Sequence, residues 1–470
     1  MNTLFFGSFL AAMATGLPIA IAMCLGSLIY IWFSGAIPPV AVIHRMVGGI
    51  DSFPLLAVPF FIYAGNLMNS AGITNRIYNF ALALVGWLKG GLGHVNVVGS
   101  VVFAGMSGTA VADAGGLGTI EIKAMQDHGY PTEFAVGITA ASSTLGPIIP
   151  PSLPMVIYGV QANTSIGKLF AAGFIPGAIM AIFMMVMVAY YAHVRKYGAD
   201  IKFSWPRMGR AFVELAAVLI TGAVLFVLWD KDREGLGGFV RFGLPLIAVL
   251  VADKLFKFEA FMALLTPVIL IGGMASGLFT PTEAAVAASA WALFLGFVWY
   301  RTLSWRMFIK ISMETVETTA VVLFIVASAS IFAWVLTTTQ ATEAVGAWVL
   351  SISSNPLVFL LLANIFLLFV GCFMETIAAI TILVPVFMPI IAKLGIDPVH
   401  FGLIMVLNLM IGLLTPPVGM VLFVLQKVAR ISFERTVMAV MPWMIPLFAT
   451  LILITYVPSL VLWLPGKLYP

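Results

Sequence analysis

The stretch Ser142-Ser143-Thr144-Leu145-Gly146-Pro147-Ile148-Ile149-Pro150-Pro151-Ser152 lies in the middle of an apolar run, 133–161. An apolar run of that length reads as a helix in lipid. Two adjacent prolines remove two backbone donors, and their rings crowd the preceding turn, so the helix must break near its centre. A second run, 399–428, carries Gly412-Leu413-Leu414-Thr415-Pro416-Pro417 and breaks by the same device. Each broken helix follows an apolar stretch with a polar, glycine-containing middle. The first stretch is 93–128, centred on Gly105-Met106-Ser107-Gly108-Thr109, and the second is 357–394, centred on Gly371-Cys372-Phe373-Met374-Glu375-Thr376. Each reads as a helical hairpin that enters the membrane and turns back.

The spacing repeats. Gly105 to Pro151 and Gly371 to Pro417 are both 46 positions, and at the same offset of 266 Gly129 meets Gly395, Gly146 meets Gly412 and Pro150 meets Pro416. The order of flanking elements also repeats: span, span, short helix, hairpin, broken helix, span.

Composition sets the solvent. Of 470 residues, 62% are hydrophobic and 9% charged, with mean hydropathy +1.11. A soluble domain carries roughly a quarter charged residues, so a soluble enzyme, a nucleic-acid-binding domain and a disordered chain are excluded. The net charge of +4 is too small to point to a polyanion partner. Clear spans fall at about 4–31, 54–70, 168–192, 211–229, 239–256, 261–279, 280–300, 314–338 and 433–463. The fold class is an all-α polytopic membrane protein with about 11 spans and 2 hairpins. The uncharged N-terminal run from Leu4 to Phe33 reads as a retained first span rather than a signal peptide. Cys24 and Cys372 sit in apolar runs and suggest neither disulfide nor metal.

Lys and Arg set the orientation. The run His193-Val194-Arg195-Lys196 with Lys202, Arg207 and Arg210, then 301–310 and 426–435, should be cytoplasmic. This places the N-terminus inside and the C-terminus outside. The two hairpins then open to opposite faces, and the repeats are inverted.

Broken helices at membrane depth cost several kcal/mol per unpaired backbone group, so they persist where the freed groups line a site. In inverted-repeat transporters half-helix N-termini face anionic substrate and unwound carbonyls bind Na⁺. Sodium wants oxygen, and Ser107, Thr109, Ser142, Ser143, Thr144, Thr376 and Thr415 offer hydroxyls beside the carbonyls around Gly108, Gly146 and Gly371. Glu375 at the second tip either binds a cation, carries a proton or caps a helix, and Asp113 is read the same way. Glu283, in Thr280-Pro281-Thr282-Glu283, reads as an N-terminal cap. Asn66, Asn96 and Asn408 serve either the pocket or helix–helix hydrogen bonds. Gly105-Met106-Ser107-Gly108 matches a short intramembrane protease pattern, but His44, His94, His128, His193 and His400 all fall near span or hairpin ends, where none can act as its base. No GxxxxGK[ST] is present, so ATP is not expected to drive the protein.

The stretch 142–152, Phe279-Thr280-Pro281-Thr282-Glu283-Ala284-Ala285, Asp397-Pro398-Val399-His400-Phe401-Gly402 and Thr415-Pro416-Pro417-Val418-Gly419 resemble the large membrane subunit of tripartite ATP-independent periplasmic (TRAP) transporters, of the DctM type. The resemblance covers nearly the whole chain. It implies an elevator-type fold of the ion-transporter superfamily and Na⁺-driven import of an organic acid, carboxylate or dicarboxylate, across the bacterial or archaeal cytoplasmic (inner) membrane. Its expected partners are a small four-helix membrane subunit, a periplasmic solute-binding protein and membrane lipid. No cofactor is expected beyond the coupling ion. The expected domains are scaffold at 1–92, 162–279, 280–356 and 429–470, and transport units at 93–161 and 357–428. By motif position the resemblance implies one Na⁺ site at Ser107, Gly108, Thr109, Thr144 and Gly146, and another at Gly371, Glu375, Thr376, Thr415 and Gly419. The substrate would be held by Ser107, Thr109, Ser143, Thr144, Glu375, Thr376 and Asn408. The chain departs from the family pattern by about 45 extra residues, roughly 211–256, which read as an added helix pair. No small subunit is fused ahead of the first span, so a separate one is expected. The alternatives are a stand-alone sodium-coupled carboxylate symporter of the same superfamily and, remotely, an intramembrane hydrolase.

Overall fold

The structure, a computed structural model, describes residues 2–35, 38, 40–229, 253, 260–275, 278–340, 347, 351 and 355–469. Among them the regular elements are helical, apart from one bridge between Lys89 and Ala199. The first half comprises α1 (Asn2–Ala14), α2 (Ile19–Ser34), α3 (Val40–Ile50), α4 (Ala57–Ser70), α5 (Ile73–Val85), α6 (Gly91–Ser107), α7 (Ala110–Gly115), α8 (Leu117–Asp127), α9 (Thr132–Ser143), α10 (Leu153–Gln161), α11 (Ile166–Val194) and α12 (Trp205–Trp229). The second comprises α13 (Phe261–Ala275), α14 (Pro281–Phe294), α15 (Trp305–Thr338), α16 (Pro356–Gly371), α17 (Thr376–Lys393), α18 (Pro398–Gly412), α19 (Met420–Ala429), α20 (Phe433–Val440), α21 (Met444–Tyr456) and α22 (Ser459–Leu468).

Helix boundaries follow local chemistry. Thr280 and Glu283 form the expected capping box at the start of α14, with Pro281 in the first turn. Asp397 caps α18 by accepting from Val399 N–H at 2.7 Å and His400 N–H at 3.2 Å, again ahead of a proline. Both proline breaks are present. One separates α9 from α10 and the other α18 from α19, and the Pro150–Pro151 and Pro416–Pro417 bonds are both cis.

Two expectations need correction. The first span, 4–31, is two helices: the chain turns at Thr15–Pro18, where Gly16 takes φ +82° and Pro18 cannot continue α1. α1 and α2 pack on each other, with Phe5 and Tyr30 ring centroids 5.9 Å apart and Gly26 against Phe9. At 13 and 16 residues they reach only ~20–24 Å each. The span at 54–70 is present as Phe53–Ser70 and follows α3 with a 66° bend at the break; the span at 433–463 runs from Phe433 to Tyr456, through a 3-10 turn at Met441–Trp443, and stops at Val457–Pro458 ahead of α22. Of the extra pair near 211–256, α12 covers the first helix, while the second falls outside the described residues. Five described helices are long and apolar enough to cross a membrane alone, six if α3 and α4 count as one bent span.

The outer surface is as apolar as the interior. On α11, Met180, Met184 and Val188 are buried, while Ile182, Val186 and Tyr190 on the other side are each more than half exposed. That arrangement suits lipid, not water. α14 lies on α4, fastened by a hydrogen bond from Ser289 Oγ to Phe60 O (2.9 Å), and Thr282 Oγ1 donates to Phe53 O (3.1 Å) in the turn that leads into α4. α15 joins α4 through Tyr63–Ser312 and Asn66–Thr315, both 3.1 Å, and closes a second apolar core with Phe5, Phe9, Met23 and Phe332.

The hairpin and broken-helix segments interlock crosswise. α10, the far half of the first broken helix, packs on α17 of the second hairpin; α19, the far half of the second, packs on α7 and α8 of the first hairpin. Tyr158 of α10 donates to the carbonyl of Pro398 at 2.7 Å.

Candidate functional site

At the first tip, α6 ends at Ser107 and α7 starts at Ala110, leaving Gly108 and Thr109 between them. Gly108 has φ +63°, and a Cβ there would stand 2.9 Å from the carbonyl oxygen of Pro151. Only glycine lets the tip come this close to the break. Leu153 N–H donates to the Gly108 carbonyl at 3.3 Å, tying α10 to the tip. Thr109 caps α7, accepting from Ala112 N–H at 3.3 Å. The structure describes the backbone of Ser107 and not its side chain, so the expectation placed on its hydroxyl is not tested.

Within the break, Ser143 donates to Ala140 O at 2.8 Å and Thr144 to Ala141 O at 2.6 Å. Their protons are thus committed to α9, and their oxygen lone pairs remain as acceptors. Ser152, unremarked in the sequence, caps α10 at Met155 N–H (3.3 Å) and donates to Pro147 O (2.5 Å). Gly146 lies between Ser143, whose carbonyl accepts its N–H at 3.3 Å, and the first proline.

The second tip, Cys372–Glu375, repeats the arrangement. A Cβ on Gly412 would lie 2.5 Å from Gly371 Cα, so the end of α16 and the end of α18 touch backbone to backbone. Val418 N–H donates to the Cys372 carbonyl at 3.2 Å, as Leu153 does to Gly108. Glu375 caps α17: one carboxylate oxygen accepts from Ile377 N–H (2.8 Å) and Ala378 N–H (3.2 Å). Thr376 is buried, and its hydroxyl has no hydrogen-bond partner among the described residues. Thr415 donates to Ile411 O at 2.9 Å, and Gly419 opens α19 at φ +57°. Asn408 donates to Asn364 O (3.0 Å) and Oδ1 (2.6 Å), holding α18 to α16, and its own Oδ1 is buried with no hydrogen-bond partner among the described residues.

Each tip therefore meets its own break, and among the described residues no hydrogen bond joins one tip to the other. At each place two helices end and two begin. Helix C-termini present carbonyl oxygens suited to a hard cation, and N-termini present amides suited to a carboxylate.

Sequence reasoning passed over Glu121 and Ser100. Glu121 accepts from Asn96 Nδ2 at 2.6 Å, Asn96 also donates to Thr139 at 2.8 Å, and Ser142 donates to Asn96 Oδ1 at 2.7 Å. The signal that could have found it is a carboxylate inside the apolar stretch 93–128, the same signal that picked out Asp113.

Known proteins share this chain's pattern. The family model for "Tripartite ATP-independent periplasmic transporter, DctM component" matches residues 6–460. A sialic acid TRAP transporter large permease protein of Vibrio cholerae is 45% identical over 97% of this chain and 96% of its own length. A C4-dicarboxylate TRAP transporter large permease protein of Pseudomonas aeruginosa is 38% identical over 89% and 87%. The 2,3-diketo-L-gulonate large permease of Escherichia coli is 34% identical over 99% and 98%. Among solved structures, the YdaH transporter of Alcanivorax borkumensis matches with TM-score 0.57 at 15% identity, covering 87% of this chain and 86% of that one, a likeness of fold alone. The relatives are transporters, not enzymes, and the chain belongs to the DctM family, the large permease component of the TRAP transporters.

Proposed function

We propose that this multi-pass protein imports an organic acid across the bacterial inner membrane, driven by Na⁺ and supplied by a periplasmic solute-binding protein. The observation that carries the reading is the pair of backbone bonds that tie each tip to its break, Leu153 to Gly108 and Val418 to Cys372. Each leaves helix-end carbonyls and amides clustered where lysine and arginine are absent from the sequence. Na⁺ at each cluster supplies the positive charge that a carboxylate solute needs. The first set is Ser107, Gly108, Thr109, Thr144 and Gly146, and the second is Gly371, Thr376, Thr415 and Gly419. Glu375 we assign to holding the start of α17.

The repeats are inverted, and 93–161 with 357–428 move together as one unit against a frame of α4, α11, α14 and α15. The crosswise packing of α10 on α17 and of α19 on α7 supports that unit, since neither half can shift without the other. α20 packs on α9 and moves with it. A small membrane subunit completes the frame.

The test is uptake into proteoliposomes of radiolabelled sialic acid and succinate, the solute classes named for the two relatives above. It is run with and without Na⁺, with and without the small subunit, and with and without the binding protein. Uptake that needs all three supports the reading. Uptake without the binding protein favours a stand-alone symporter, and undiminished uptake in Na⁺-free buffer overturns the ion assignment.

A further inference from the structure

A buried side-chain bond joins each hairpin to its own broken helix, and the two bonds fall at matching places. Ser142 and Asn408 stand 266 positions apart, the offset at which Gly146 meets Gly412, and each lies four residues ahead of that glycine. Each bonds an asparagine on the first arm of its own hairpin. Ser142 of α9 donates to Asn96 Oδ1 of α6 at 2.7 Å, and Asn408 Nδ2 of α18 donates to Asn364 Oδ1 of α16 at 2.6 Å. Asn96, Ser142 and Asn408 are 0% exposed and Asn364 8%. The partner asparagines, Asn96 and Asn364, are two positions off the same offset.

Both asparagines are tied down in turn. Asn96 uses its whole amide: besides accepting from Ser142 it donates to Thr139 Oγ1 at 2.8 Å and to Glu121 Oε2 at 2.6 Å. Thr139 and Ser142 lie three residues apart on one face of α9, so one asparagine fixes both the rotation and the axial position of that helix on α6. Asn408 also bonds the Asn364 carbonyl at 3.0 Å, and Asn364 Nδ2 donates to Thr455 Oγ1 of α21 at 3.1 Å. The bonds at the tips do little to set this register. Among the described residues one backbone bond joins each tip to its break, 3.3 Å at Gly108 and 3.2 Å at Cys372, at the long end of the N–H···O range. Apolar helix faces carry little that opposes sliding, whereas a displaced Ser142 or Asn408 strands a buried polar group.

We propose that Ser142 and Asn408 are positioning residues. Each pins the first half of a broken helix to its hairpin one turn before the break, and so holds the carbonyls of the break in fixed register with those of the tip. Buried polar pairs set register in this way where apolar packing leaves it open. The consequence for the ion rests on the two Na⁺ sites proposed above; the pinning itself does not.

The test uses the full chain with its small subunit in lipid nanodiscs, with Cys24 and Cys372 replaced by alanine and spin labels at Ile365 on α16 and Lys427 on α19, both exposed. The distance distribution is recorded in Na⁺-free choline buffer, and the unfolding temperature is followed over a Na⁺ titration. Asn408→Leu should shift or broaden the distribution before any Na⁺ is added, and should raise the half-effective Na⁺ concentration roughly tenfold or more. The double variant Asn364→Leu, Asn408→Leu should move it no further than Asn364→Leu alone, because both act through one bond. Ser142→Ala should raise the half-effective concentration likewise. An unfolding temperature lowered equally at every Na⁺ concentration, with an unchanged distribution, makes Asn408 a strut of the fold only and overturns the proposal for the second repeat. An unchanged Na⁺ titration in Ser142→Ala overturns it for the first. Should Asn408→Leu fail to fold, Asn408→Ala is read by the same two measurements. If the wild type shows no stabilisation by Na⁺, the ion sites fail, while the distance distribution still decides the pin.

Discussion

Gly173 and Gly177 lie one turn apart on α11 and face the first break, which makes them the sharpest probe of how the moving unit meets its frame. A Cβ on Gly173 would fall 2.1 Å from the carbonyl oxygen of Ile148, whereas one on Gly177 would fall 2.5 Å from Cγ1 of Ile149. To reach even the ~3.3 Å of a close C–H···O contact, Gly173→Ala must open the first gap by about 1.2 Å. Backbone faces backbone there, so no rotamer relieves it. Overpacking of this kind costs ~1–3 kcal/mol, while alanine in a helix returns ~0.5–1. The net, about 1–2 kcal/mol, is a factor of about 5–30 in a two-state ratio. Gly177→Ala meets a side chain that can turn aside, so its effect should be small. The assay is the distance distribution between spin labels on α11 and α17, with Cys24 and Cys372 replaced, alongside the unfolding temperature. If α11 belongs to the frame and the unit slides past it, Gly173→Ala depletes this conformation 5–30-fold relative to the others. A stability loss with no population shift would mean that the contact persists in every state, and the elevator reading would fail. No effect of either kind would refute the packing argument itself.

Other consequences are open to direct measurement. Gly412→Ala sets a Cβ 2.5 Å from Gly371 Cα, so uptake should fall at least tenfold while the protein still inserts; near-normal uptake would show that the second tip and break are not held together during transport. Because both capping bonds of Glu375 use one oxygen, Glu375→Gln should leave the Na⁺ requirement of uptake unchanged, while Glu375→Ala should cost ~1 kcal/mol in unfolding; a raised Na⁺ requirement in the Gln variant would return the carboxylate to the ion. At the exposed end of α9, the amide of its own helix start and then the Arg435 guanidinium hold the Glu133 carboxyl below its ordinary value of 4.5. A depressed carboxyl contributes stability above that ordinary value and loses it as pH falls through the lower folded one. Arg435→Gln should therefore lower the unfolding temperature by only about 1–2 °C at neutral pH, the scale of an exposed ion pair, and by nothing in strong acid; an equal loss at both pH values would rule out the charge as its cause.

Where a single residue constrains its own backbone, the sequence alone was enough. Pro150-Pro151 and Pro416-Pro417 cannot continue a helix, and the chain breaks at both. Thr280 with Glu283 announces a helix start because a side-chain oxygen three residues or fewer from free amides has few other uses. Two apolar stretches with polar middles break at the expected tips, between Ser107 and Ala110 and between Gly371 and Thr376, and the scarcity of charge states the solvent. Where the answer depends on which surfaces meet, the sequence was silent. α1 and α2 are apolar all round, so nothing in their pattern distinguishes a single span from two helices folded on each other; the Gly16–Pro18 turn decides it only once Phe9 seats against Gly26. Asn408 is equally good as a pocket residue or a strut, and only the fold supplies Asn364, on another helix, as the acceptor for its amide protons. Glu121 sits in a stretch with no visible partner, and the packing of α8 on α6 sets it against Asn96, which the sequence could not show. The crosswise seating of α10 on α17 and of α19 on α7 is likewise a product of tertiary structure. Lipid-soluble helices carry no polar face to say which side turns inward, so their partners are chosen by shape, by glycine-sized gaps and by buried hydrogen bonds between residues far apart in the chain.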